Sequence, residues 1–260
     1  MVTVEPQRYF AQQLADSLFE VITLIPSGSS PESYDPTPRE MAQLARSKAY
    51  FCIGHIGFEN VWLERLKSNH PNVKFFDNST GIDLISGECR HEAEDSGCSH
   101  HTSIDPHTWS SPRQARIIAQ NMFDAFSEID PEHIDIYRKN LEKLLSEIDD
   151  TDRIVRSYLE HLPGKAFIIY HPALTYLARD YGLKQYSIET DGKEPSPEQL
   201  KQLVETAEKE SIRTVFIQQE FDRKNAEVIA RETGCHLEVI HPLSYHWSKE
   251  IIRIAQILSE

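Results

Sequence analysis

Residues 131–162 read PEHIDIYRKNLEKLLSEIDDTDRIVRSYLEHL, and the division of the whole chain turns on them. Ile134, Tyr137, Leu141, Leu144, Leu145, Ile148, Ile154, Val155 and Leu159 recur at spacings of three and four, the period of a helical face. No glycine or proline interrupts the run until Pro163. A helix of about 30 residues is about 45 Å long at 1.5 Å per residue, which is long for one compact domain. The apolar spacing does not keep a heptad, so a coiled coil is the weaker reading and a spine joining two domains the stronger.

On either side of the spine, apolar strands alternate with helical segments. Before it, strands are predicted over 2–5, 19–25, 49–54 and 73–76, with helices near 9–18, 38–47 and 58–66. After it, strands are predicted over 166–170, 185–189, 214–218 and 237–240, with helices near 173–181, 197–210, 223–233 and from 248 onward. Short apolar strands separated by helices indicate βαβ units and parallel sheets. The expected fold is therefore α/β: two parallel-sheet α/β lobes joined by one long linking helix. The boundaries are residues 1–129, a linking helix over 130–162, and residues 163–260.

Composition narrows the partners. The chain has 260 residues, enough for one large domain or two of ordinary size, and a net charge of -14. That balance argues against nucleic acid and anionic membrane surfaces and suits the attraction of cations. No apolar run approaches the roughly 18 residues of a spanning helix. The chain opens on Met1-Val2-Thr3-Val4, already strand-like. The expectation is a cytosolic protein or the mature part of an exported one. Of the 4 cysteines, Cys52 and Cys235 read as buried thiols. Cys89 and Cys98 bracket a short polar loop that an oxidising compartment would let them clip. Residues 87–103 around them hold His91, His100 and His101 among acids, either a plain surface loop or a weak metal-attracting tether.

Histidines cluster at turns and strand ends. His107 lies in the stiff turn Ser103-Ile104-Asp105-Pro106-His107-Thr108-Trp109-Ser110-Ser111-Pro112, where Ser111 caps the helix that follows. His171 and His241 each directly follow a predicted strand, and the carboxyl ends of strands face the ligand crevice in open α/β sheets. The N-terminal lobe offers Glu32 in the loop after its second strand and His55 after Gly54. Imidazoles with one carboxylate, converging between lobes, suit Zn²⁺. Asp105 either orients an imidazole or caps its turn. Glu220, after Gln218-Gln219, sits at another strand end and is a candidate to support a ligand from behind.

Five blocks then carry a resemblance over nearly the whole chain. They are Ser30-Pro31-Glu32-Ser33-Tyr34-Asp35-Pro36-Thr37-Pro38, the block from Asp105 to Pro112, Tyr170-His171-Pro172-Ala173, Glu194-Pro195-Ser196-Pro197, and Ile240-His241-Pro242-Leu243. Together they resemble the substrate-binding proteins of zinc and manganese ABC transporters, periplasmic or lipid-anchored receptors that load a metal permease. The resemblance implies a metal between the lobes held by Glu32, His107, His171 and His241. It implies Zn²⁺, with Mn²⁺ as the alternative, a membrane permease as partner, a monomer, and a place outside the cytoplasm. Two positions depart from the family: Glu32 stands where a histidine is usual, and His241 where an aspartate is usual. His55 is the substitute if Glu32 is not used. A histidine at position 171 resembles the zinc branch, because manganese members tend to carry glutamate there. The competing readings are a manganese or iron receptor, a zinc hydrolase with Glu32 as general base, and a surface adhesin.

Overall fold

The computed structural model describes residues 1–86, 104–162, 164–189 and 193–260. The chain enters through Val2, which bridges Thr23 on one side and Phe51 on the other, both in parallel. It turns at once into α1 (Glu5–Ala15). The strands expected over 2–5 and 19–25 are thus cut to single bridges. The reason is local: Pro6 suits a first helical turn, and the Gln7 side chain reaches back to accept the N–H groups of Thr3 and Val4 at 3.0 and 3.2 Å.

Next come α2 (Pro38–Leu44), β1 (Ala49–Cys52), α3 (Gly57–Asn69) and β2 (Lys74–Asp77). Thr37 caps α2 in a capping box with Glu40, the arrangement its Thr-Pro start implies. β1 and β2 pair in parallel from Ala49↔Lys74 to Cys52↔Asp77. Beyond the turn at His107, α4 (Pro112–Ile129) leads to α5 (Ile134–Leu159), the linking helix. It has 26 residues, and a short 3₁₀ turn over Pro131–His133 takes the start of the expected run.

The C-terminal lobe follows as β3 (Ala166–Ile169), α6 (Thr175–Tyr181), β4 (Lys184–Ser187), α7 (Pro197–Lys209), β5 (Thr214–Gln218), α8 (Lys224–Thr233), β6 (His236–Ile240) and α9 (Trp247–Ser259). Its strands lie in the order β4-β3-β5-β6, all parallel. The N-terminal segments repeat that order: the Thr23 segment, Val2, β1, β2. The architecture is two α/β lobes joined by one long helix.

The lobes do not have wholly separate cores. One apolar cluster runs from Val2, Phe10 and Phe51 through Leu144 and Ile148 of α5 to Phe216, Trp247 and Ile254. Trp247 at the start of α9 lies against Phe10 at 5.1 Å between ring centroids, across the lobe boundary. A smaller cluster of Ile168, Val215, Ile217 and Ile229 lies between the second sheet and its helices. Cys52 and Cys235 are both buried. Among the described residues no helix is long and apolar enough to cross a membrane. The expectations for 87–103, including the Cys89–Cys98 clip, lie outside the described residues.

Candidate metal centre

The strand order places the site. The chain leaves β3 for β4 on one side, whereas β5 pairs on the other, so the loops above them diverge and open a crevice. His171 stands just past the end of β3 at that point. Gln218, ending β5 and 1% exposed, clamps it by accepting the His171 N–H at 3.3 Å and donating to the His171 carbonyl at 2.7 Å. From the other lobe, Asp105 turns back on itself: Oδ1 accepts the backbone N–H of His107 at 2.8 Å and pairs with Nδ1 at 2.9 Å. The Tyr176 hydroxyl of α6 donates to the Asp105 carbonyl at 2.8 Å and ties that turn to the second lobe.

Both imidazoles are oriented in the same way. Nδ1 of His107 faces Asp105, and Nδ1 of His171 faces Glu189 Oε1 at 3.1 Å. A carboxylate facing Nδ1 accepts the Nδ1–H hydrogen bond, keeps the proton on that nitrogen and leaves Nε2 of the neutral ring with its lone pair. The two Nε2 atoms then point at each other, 3.2 Å apart. Two lone pairs at that distance repel unless a proton or a cation lies between them. Two nitrogens bound to one tetrahedral zinc at bond lengths of about 2.05 Å stand about 3.3 Å apart. Glu32 supplies a carboxylate to the same point: its donor atom and those of His107 and His171 all lie within 4.8 Å of one another.

Glu32 is held by α3. The Gly57 N–H, first in that helix, donates to Glu32 Oε2 at 3.1 Å, and the helix N-terminus favours the charge. Phe58 N–H donates to the Pro31 carbonyl at 3.0 Å. Buried Glu59 fixes the preceding turn by accepting from Ile53 and Gly54; burial pushes its carboxyl up to about 7 despite those bonds. A Cβ on Gly57 would meet the Glu32 carbonyl oxygen at 2.5 Å and Oε2 at 2.6 Å. Gly57→Ala is therefore expected to displace Glu32 and weaken zinc binding on the order of 10-fold, with the fold retained. Competition against a chelator reads the change, and an unaltered affinity would remove Glu32 from the site.

Charge completes the picture. Burial works against a proton on His107, but the Asp105 carboxylate, helped by Glu32 and Glu220, outweighs it and holds the imidazole above its ordinary value. Burial likewise pushes Asp105 up, and His107 pulls it below the usual carboxylate range. The enclosed space between the donors is about 20 Å³, room for one ion or one water. Trp109 and Phe221 wall it with Pro242 and Leu243.

Comparison with known proteins shows the family. The family described as zinc-uptake complex component A, periplasmic (ZnuA), matches residues 1–250. The chain belongs to the ZnuA family. A crystal structure of ZnuA superposes with a TM-score of 0.90 at 35% identity, covering 99% of this chain and 96% of that one. A zinc-bound deletion mutant of ZnuA gives 0.89 at 35% identity, covering 99% and 95%. The high-affinity zinc uptake system protein ZnuA of Bacillus subtilis is 29% identical over 94% of this chain and 77% of its own length. A laminin-binding adhesin of Streptococcus agalactiae, 24% identical with a TM-score of 0.85, shares the fold.

Of the residues expected to hold the metal, three come together among the described residues. Glu32, His107 and His171 form the donor group, which includes neither His241 nor His55. His241 follows β6, which β5 separates from β3; Pro242 and Leu243 after it line the cavity, but its own side chain does not. Its backbone N–H is held by Glu250 at 2.8 Å, and its Nδ1 is buried without a hydrogen-bond partner. His55 is half-buried in the turn before α3. Glu189 and Gln218 were not singled out in the sequence. The available signal was an acid or amide ending a strand, and it becomes legible only once β4 and β5 are known to flank β3.

Proposed function

We propose that this protein is an extracytoplasmic receptor that captures Zn²⁺ through Glu32, His107 and His171 and passes it to the membrane permease of an ABC transporter. The observation that carries the reading is the Nε2 pair at 3.2 Å, each imidazole backed by a carboxylate. A proton or a cation between the two nitrogens satisfies that pair, and the carboxylate behind each ring favours positive charge there. The two imidazoles at the centre of the site suit borderline Zn²⁺ better than hard Mn²⁺. Membership of the ZnuA family and the zinc named in its relatives support the same cargo. The ion is cargo and no reaction is required of it. The protein acts as a monomer, in the periplasm or anchored by lipid.

Handover needs donors that let go. Glu32 is the exposed member of the group and His107 the buried one. Exchange therefore proceeds from the Glu32 side, with the histidines as the fixed wall. The test is metal analysis of the purified protein followed by Zn²⁺/Mn²⁺ competition. One bound zinc and a preference for zinc of at least about 100-fold are expected. A preference for manganese, or no bound metal at all, overturns the reading.

A further inference from the structure

Zinc held entirely by protein takes four donors in a tetrahedron, and the group described above provides three. We propose that Glu220 is the fourth metal donor of this site, delivered by the loop after β5. The inference rests on the metal-receptor reading. It departs from the residue that the chain's resemblance singles out, His241.

Three observations carry it. First, Glu220 is the one ionisable side chain lining the cavity besides Glu32, His107 and His171. Second, its loop is anchored over the donors: Phe221 stacks on the His171 ring at 5.3 Å with an interplanar angle of 21°, and packs on Tyr170 at 5.1 Å. β5 pairs directly with β3, so this loop and that of His171 are neighbours at the crevice. Third, Glu220 is partly exposed, and among the described residues it has no hydrogen bond or ion pair that would have to be broken for it to swing inward. His241 is likewise partly exposed and its Nδ1 has no hydrogen-bond partner, but it meets neither of the first two conditions. It does not line the cavity, and its strand end is one strand farther from β3.

The chemistry fits a cargo site. Two carboxylates with two imidazoles neutralise the ion's charge, which lowers the cost of enclosing it. The two carboxylates come from exposed or half-exposed loops in opposite lobes. Glu32 remains the more exposed of the two, so exchange still proceeds from its side.

The test compares wild type, Glu220→Gln, His241→Ala and His107→Ala in the full chain. Zinc affinity is read by chelator competition, and coordination by the visible absorption of the cobalt-loaded protein. Glu220→Gln is expected to lower zinc affinity on the order of 10- to 100-fold and to change the cobalt spectrum. His241→Ala is expected to stay within about threefold with an unchanged spectrum. The proposal is overturned if Glu220→Gln keeps both affinity and spectrum, or if His241→Ala produces the losses instead. His107→Ala separates the two levels. If it still binds zinc like wild type, the site itself is misread. If it fails to bind while Glu220→Gln is unaffected, only the fourth donor is wrong. Glu220 is a surface-loop residue, and melting temperatures of the metal-free variants confirm that each remains folded.

Discussion

His107→Ala and His171→Ala each lose zinc affinity by more than about 100-fold, beyond the 10- to 100-fold typical of removing a group that merely supports a ligand. Each deletion takes away one of the two facing Nε2 atoms, and with it the pairing that defines the site. The two variants should differ in what they do to the metal-free fold. His107 is 7% exposed and is the hydrogen-bond partner of buried Asp105. His171 is half-buried and leaves Glu189, itself 6% exposed, without its imidazole. A buried acceptor stripped of its partner costs about 1–3 kcal/mol, so both variants should melt lower but cooperatively. Competition titration with circular dichroism on the same samples checks both halves. Retention of affinity within tenfold of wild type in either variant would end the claim that these two imidazoles share an ion.

How far the sequence carried the argument can be judged residue by residue. α5 was legible because Tyr137, Leu141, Leu144, Ile148, Val155 and Leu159 keep a helical stripe, and all six are buried. His107 and His171 were legible because proline-stiffened turns at strand and helix ends are where the backbone can fix an imidazole. The N-terminal strands were overread. β-Branched and aromatic residues near Val2 and Val21 look like strands, but Pro6 and the Gln7 side chain start a helix before a ladder can extend. His241 has the expected kind of position, directly after the last strand of the order β4-β3-β5-β6, and lies outside the three-donor group although Pro242 and Leu243 beside it line the cavity. The same order brings Glu189 and Glu220 to either side of His171. Strand order depends on pairing between distant segments, and a single sequence does not display it. The direction of a side chain at the end of a strand is hidden for the same reason.

Saturating zinc should raise the melting temperature strongly, and the rise should shrink as the solution is made acidic. A ligand that binds only the native state stabilises it by about 4 kcal/mol when free ligand is 1,000 times Kd. For a chain of this size each kcal/mol moves the midpoint by roughly 2–4 °C, so a rise of roughly 8–16 °C is expected. The pH dependence follows from Asp105. In the metal-free protein it holds His107 above the ordinary imidazole value, so the proton on His107 stabilises the apo fold. That contribution is complete below the unfolded value of about 6.5 and is lost as pH rises through the raised folded value. Zinc needs the same nitrogen neutral, so its contribution runs the other way: complete above the raised value and diminished below it. Each proton that zinc must displace lowers the affinity about tenfold per pH unit in that range. The zinc-induced shift should therefore be large near pH 8 and fall steadily toward pH 5. An increment that stays flat, or grows toward acid, would mean that no imidazole holds the ion. Asp105→Asn separates the causes. It removes the charge that favours the proton, so half-loss should move to lower pH. It also removes the anion that supports the imidazole as a donor, so zinc affinity above pH 7 should fall on the order of 10- to 100-fold. One carboxylate thus sets both how tightly the ion is held and how readily acid releases it.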